Sequence, residues 1–315
     1  MKQTENKRKT FPETCVKARA ASEKSYDSVK NTENTVEMPQ RLPPVLTADT
    51  AKKLLNGKTK VSLDLGLTTT SINRTNEGIK LNKKENIDYV SLGKIAEKEN
   101  AAYFVSRGKV YQVAVSGKHF YKLLPTHGAP TLEIDGIRMH RTKETTPDMD
   151  TGRKLDSLRL RGGAVLDTCT GLGYTAIEAA RRGASHVVTV ELEMSVLLIA
   201  RMNPWSRGLW TLRGVHKLLG DSFHVTDGLP ERFFDYVVHD PPRHSHAGHL
   251  YGGEFYRKLW RLMKPGGRLF HYTGEPGSRY RGVDLGRGVA SRLREAGFVG
   301  LSYHDDVMGF TAVKP

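Results

Sequence analysis

From about Arg153 onward the apolar residues gather into short runs separated by longer amphipathic stretches. Ala164-Val-Leu-Asp-Thr168, Val187-Val-Thr-Val190, Asp235-Tyr-Val-Val-His239 and Arg268-Leu-Phe-His-Tyr272 are rich in branched or aromatic side chains and too short for helices, so they read as strands. Tyr174 to Arg182, Met194 to Met202, Glu254 to Met263 and Asp284 to Ala296 read as the helices between them. The helix from Glu254 is expected to stop at Lys264-Pro-Gly-Gly267, and Thr151 to Leu158 predicts a lead-in helix. Val215 to Leu219 takes the place of a third strand, while Phe298 to Tyr303 and Val307 to Val313 predict two final strands joined tightly. Such alternation is the mark of an α/β fold, a parallel sheet with helices on both faces.

The first half follows another pattern. Residues 1–40 are polar, bury too little apolar surface to offset chain entropy, and predict a disordered tail. In 41–150 the elements are short and mixed. Thr47 is placed to cap a helix ending near Leu55, and Ser91 to Glu99 suggests a second. Val61 to Leu65, Thr68 to Ile72, Gly78 to Leu81, Ala102 to Ser106, Val110 to Val115 and His119 to Leu124 are β-like, with a hairpin signal at Arg107-Gly108-Lys109. Thr131 to Arg141 reads as a connecting stretch. The expectation is a small β-rich α+β domain over 41–150 and an α/β domain over 151–315. Lysine dominates the basic residues of the middle region and arginine those after it, which supports a boundary near 150.

The formal net charge of +15 suits phosphate-rich partners. It is spread as about +2, +6 and +7 over the three regions, so there is no basic arm. RNA stays open as a partner. No run approaches the ~20 apolar residues of a membrane span, and Met1 to Thr10 lacks the apolar core of a secretory signal. The two cysteines, Cys15 and Cys169, lie in a polar tail and in a glycine turn, so no disulfide framework is indicated and a cytoplasmic setting is expected.

Chemistry concentrates at the carboxyl ends of the predicted strands. Val165-Leu-Asp-Thr-Cys-Thr-Gly-Leu-Gly-Tyr-Thr-Ala176 runs from a strand through a turn holding Gly171 and Gly173 into a helix. The glycines let backbone approach a ligand, although tight packing alone would also use them. Asp167 closes the first strand, Glu191 closes the second 24 residues later, and Asp221 follows the third. A carboxylate in the place of Glu191 accepts both ribose hydroxyls, which nicotinamide enzymes also require. The fourth strand ends in His239-Asp240-Pro241-Pro242-Arg243. Its prolines fix the chain and leave the Asp240 carboxylate and the Pro241 carbonyl to accept hydrogen bonds from an amine, a pair that a nicotinamide domain does not need.

On these residues the chain, from Arg153 onward, resembles the class I S-adenosylmethionine (SAM)-dependent methyltransferases. The resemblance implies a Rossmann-like sheet and SAM as cofactor. It places Asp167, Thr168, Gly171, Gly173, Tyr174, Glu191 and Asp221 around SAM, and Asp240, Pro241, Pro242 and Arg243 against the acceptor. At Leu132-Glu-Ile-Asp-Gly-Ile-Arg-Met-His-Arg-Thr142, Asn203-Pro-Trp-Ser206 and Arg279-Tyr-Arg-Gly282 the chain further resembles an archaeal family of predicted methyltransferases.

The reading is methyl transfer to a nitrogen of an RNA base or another amine-bearing acceptor. Relatives acting on base amines carry an aromatic residue after the two prolines. Arg243 stands there instead and suits phosphate or carboxylate. Uracil C5 methyltransferases share Asp-Pro-Pro-Arg but need a nucleophilic cysteine, and only Cys169 is near. Two rivals remain. Gly252-Gly-Glu-Phe-Tyr256 with Lys264-Pro-Gly-Gly267 resembles spermidine synthases, which transfer aminopropyl groups from decarboxylated SAM. A non-catalytic SAM- or RNA-binding module is the other. His244, His246 and His249 have metal-ligand spacing but no cysteine to complete a site, so they read as a lid and no metal is expected. His239 is either a proton acceptor or a satisfied strand-end histidine. Arg279, Arg281, Tyr272 and Tyr280 are candidates to grip or stack on the acceptor, and Trp205 either packs in its turn or borders the adenine.

Overall fold

A computed structural model describes residues 42–274, 279, 280 and 283–315. The tail expected over 1–40 lies outside the described residues. Seven strands form the main sheet: β1 (Ala164–Asp167), β2 (His186–Glu191), β3 (Val215–Leu219), β4 (Phe234–His239), β5 (Met263–Tyr272), β6 (Val299–His304) and β7 (Gly309–Val313). Their order is β3-β2-β1-β4-β5-β7-β6. The first five are parallel, while β7 runs antiparallel between β5 and β6. That return strand departs from the dinucleotide-binding order 3-2-1-4-5-6. The helices are α1 (Pro147–Ser157), α2 (Tyr174–Arg181), α3 (Met194–Met202), α4 (Gly253–Leu262) and α5 (Leu285–Glu295).

The period-two geometry of strands divides the apolar residues between two cores. Val165, Val187 and Val238 face α1, α2 and α3; Leu166, Val188 and Val237 face α4 and α5. Val165 and Leu166 are fully buried, each contributing roughly 1.5–3 kcal/mol of hydrophobic free energy. Strand expectations from β1 onward hold to within two residues, except at β5. There Lys264-Pro-Gly-Gly267 lies within the strand's span and bulges out of register, between the pairs Phe234–Met263 and Tyr236–Arg268. Lys264 is held at 2.6 Å by Asp235, which faces the bulge.

In the first half, Thr47 caps the helix Ala48–Leu55 as expected, and the second helix is Tyr89–Ala96. The stretch expected as one strand over Val110 to Val115 is two, Lys109–Gln112 and Ala114–Ser116, in different sheets. Val61 to Leu65 keeps only Lys60–Val61 as strand. Thr131 to Arg141 is not merely a connection: Thr131–Ile134 pairs with Ile137–Arg138 across the Asp135-Gly136 turn, a hairpin signal in the sequence that the reading passed over. The four-stranded sheet of residues 114–138 lends Tyr121, Leu123 and Leu132 to the same core as Val165 and Val187. Residues 45–110 also hold a core of their own around Leu54, Ile79 and Leu92. α1 starts at Pro147, ahead of the boundary expected at 150.

Candidate active site

Register brings the strand ends together. Asp167 on β1 stands opposite Thr189 on β2, and Val238 on β4 stands opposite Asp167. Glu191 stands opposite Leu219 at the end of β3. Four carboxyl ends therefore lie along one edge of the sheet, and open α/β sheets bind ligands in the crevice outside that edge.

Asp167 is fully buried. The Thr189 hydroxyl donates to its Oδ2 at 2.7 Å, and the Thr170 and Thr189 hydroxyls lie 2.7 Å apart. Since Thr189 spends its only proton on Asp167, Thr170 donates to Thr189. The other oxygen, Oδ1, is buried without a hydrogen-bond partner. Burial pushes the Asp167 carboxyl up to about 8, against the Thr189 bond that favours its ionised form. Buried polar atoms are seldom left unpaired, so Oδ1 is a socket for a donor. Glu191 accepts the Gly171 N–H at 2.8 Å and the Glu193 N–H at 3.0 Å. Burial still raises its carboxyl to about 7. Glu191 thus fixes the glycine turn to the end of β2, and each oxygen keeps a lone pair for a further donor.

The two glycines differ. Gly171 has φ +52°, and the place a Cβ would take is open for 4 Å. Gly173 has φ +80°, and a Cβ there would stand 2.3 Å from Leu209. Gly171 keeps a cradle open, whereas Gly173 permits close packing.

Thr168 and Tyr174 direct their side chains into the protein. The Thr168 hydroxyl meets His239 Nδ1 at 2.7 Å. Tyr174 donates to the Pro130 carbonyl at 2.8 Å and accepts from Asn203 at 2.9 Å. The Trp205 indole donates to the Leu65 carbonyl at 3.0 Å, so Asn203-Pro-Trp-Ser206 ties the two halves together. Asp221 caps the short helix Ser222–Val225 through the Phe223 N–H and lies 3.1 Å from His249 Nε2.

Across the crevice, Asp240 Oδ2 is 2.6 Å from the Nζ of Lys154 on α1. Lys154 also lies 2.8 Å from Asp150, which Arg141 meets at 2.7 Å. Burial works against the Lys154 ammonium, but Asp240 and Asp150 outweigh it and hold its pKa above the ordinary lysine value. The ring of Tyr272 lies 4.7 Å from Nζ. Pro241 is buried, Pro242 and Arg243 are exposed, and the Pro242 carbonyl accepts the Tyr251 hydroxyl at 2.9 Å. His239 is not the proton acceptor. Its Nε2–H donates to the Leu250 carbonyl at 3.0 Å, Nδ1 accepts from Thr168, and burial drives it down to about 3. Burial, with Glu191 and Asp167 nearby, raises the Cys169 thiol well above its ordinary value and so works against a thiolate there. His244 packs on the Tyr251 ring at 5.2 Å while His249 turns to Asp221. The His246, Arg279, Tyr280 and Arg281 side chains lie outside the described residues.

Sequence reasoning missed Thr189, Thr170 and Lys154. A hydroxyl inside Val187-Val-Thr-Val190 was the available signal for Thr189. For Lys154 it was the helical pair Asp150 and Lys154, four residues apart.

The family described as conserved hypothetical protein 95 matches residues 136–253. The chain is 46% identical over 278 residues to uncharacterized protein MJ1233 of Methanocaldococcus jannaschii, covering 86% of this chain and 95% of that one. Over 143 residues, 42% of this chain and 25% of the other, it is 32% identical to polyamine aminopropyltransferase 2 of Streptomyces coelicolor. A spermidine synthase solved with the transition state analogue AdoDATO superimposes with a TM-score of 0.53 at 16% identity, over 64% of this chain and 73% of that chain. This last likeness is one of fold, and it agrees with the Rossmann-like sheet expected from the sequence. Among the described residues no helix is long and apolar enough to cross a membrane.

Proposed function

The chain belongs to the family of the Methanocaldococcus jannaschii protein MJ1233, and we propose that it is a SAM-dependent methyltransferase acting on a nitrogen of an RNA base or another amine-bearing acceptor. The observation that carries this reading is the buried, unpartnered Asp167 Oδ1 beside the open cradle at Gly171, with Glu191 on the next strand. These residues suit the cofactor: Asp167 takes its ammonium group, Glu191 its ribose hydroxyls and Asp221 its adenine amine. Bound there, SAM supplies a methyl group activated on a cationic sulfur. The protein's task is then positioning, which can supply roughly 7–11 kcal/mol of a barrier. Asp240 and the Pro241 carbonyl accept the acceptor's N–H groups and so orient the nitrogen lone pair. Arg243, exposed at the rim, meets a phosphate or carboxylate of the same acceptor.

Aminopropyl transfer is the second reading, favoured by the local identity to the Streptomyces enzyme. Calorimetry with SAM and with its decarboxylated form separates the two. Tighter binding of SAM is expected, and preference for the decarboxylated form overturns the methyl-transfer reading. Tritium from labelled SAM should enter an RNA or amine-bearing metabolite fraction. Absence of label from RNA, protein and small metabolites would point to a binding module without catalysis.

A further inference from the structure

We propose that Lys154 is a positioning residue that holds Asp240 in place and restricts the acceptor to an uncharged nitrogen, excluding ammonium groups. The inference rests on the acceptor side assigned above. Lys154 is 6% exposed and reaches Asp240 from α1, outside the strand-end motifs. Two of its ammonium protons have carboxylate acceptors, Asp150 and Asp240, at 2.8 and 2.6 Å, and Tyr272 presents its ring to the same ammonium. Arg141 completes the chain at Asp150. Arg141 and Lys154 thus balance Asp150 and Asp240, two positive charges against two negative.

A neutral N–H donor can bond to the remaining Asp240 oxygen without disturbing that balance. An ammonium cannot. It would lie beside Lys154 in a half-buried setting where like charges repel strongly, and both carboxylates that Lys154 reaches, Asp150 and Asp240, already have a cation. The Asp240 side chain is about a quarter exposed, so the carboxylate is reachable and the restriction comes from charge. A polyamine is therefore the wrong acceptor for this site as built, although the sheet resembles that of a spermidine synthase.

The test uses 1,4-diaminobutane, a diammonium probe, titrated into the full-length protein saturated with S-adenosylhomocysteine. The wild type should show no binding at millimolar probe. Lys154→Met should bind at least tenfold more tightly, because Asp240 is released to an ammonium. Lys154→Arg should keep the exclusion. Should Lys154→Met fold poorly, Lys154→Gln removes the same charge with a polar side chain and should show the same gain. Wild-type binding equal to the variants, or no gain in either folded variant, would overturn the proposal. SAM affinity, measured on the same samples, is expected to stay within threefold. Loss of SAM binding in the wild type would instead sink the methyl-transfer reading and leave the charge restriction standing.

Discussion

The two sides of the crevice handle their acids differently. Asp167 and Glu191 are buried with hydroxyl and backbone donors, no cation pairs with either among the described residues, and burial displaces both carboxyls upward. Asp240, one strand away, has a buried lysine for a partner. An unmatched buried acid favours a ligand that brings positive charge; a matched one favours a ligand that brings none. Under the proposed function a sulfonium amino acid nucleoside takes the first side and a neutral nitrogen the second. The fold shared with spermidine synthase does not supply this contrast; particular residues do.

The largest expected effect comes from removing the matched acid. Asp240→Ala should lower methyl transfer by roughly 100-fold or more, as loss of alignment does, while SAM binds as before in calorimetry. A parallel loss of SAM affinity would break the division into two sides. The glycine turn sharpens it at the next scale. Gly173→Ala forces a Cβ against Leu209 at positive φ and should cost about 2–4 kcal/mol in urea unfolding. Gly171→Ala meets open space and should cost about 1–2 kcal/mol from its positive φ alone, yet weaken SAM at least tenfold by filling the cradle. The reverse pattern would mean that Gly171 does not border the cofactor.

The sheet was legible from sequence because its central strands β1 and β2 are buried on both faces and its elements are punctuated by Gly and Pro. β3 and α3 match their expected bounds. The acids at the strand ends were legible for the same reason, since strand termination placed them. Lys154 was not, because its partner Asp240 is 86 residues away and only packing of α1 against the sheet edge brings them together. Thr168 and Tyr174 stood beside the glycines in sequence, but the turn and the start of α2 rotate their side chains into the core, toward His239 and Asn203. The first half was read least well. Its two- to five-residue strands take their identity from neighbours such as Val113, whose backbone bonds to Ala102 on one side and Leu123 on the other.

The pH dependence of cofactor binding is the most direct test of the unmatched acids. Burial pushes the Asp167 carboxyl up to about 8 and that of Glu191 up to about 7, above their ordinary 3.8 and 4.5. Raised carboxyl values favour folding at acid pH. That contribution is lost as pH rises to the folded values, so the free protein should weaken between about pH 4 and about pH 8. A cationic ligand reverses the preference by favouring the ionised acids. Calorimetry of SAM binding at about pH 7, in buffers of different ionisation enthalpy, should therefore show net proton release, with affinity rising from about pH 6 to pH 8. Asp167→Asn should lose most of that release. Proton uptake, or an affinity independent of pH in this window, would contradict the claim that the cofactor side is an acid pair awaiting positive charge.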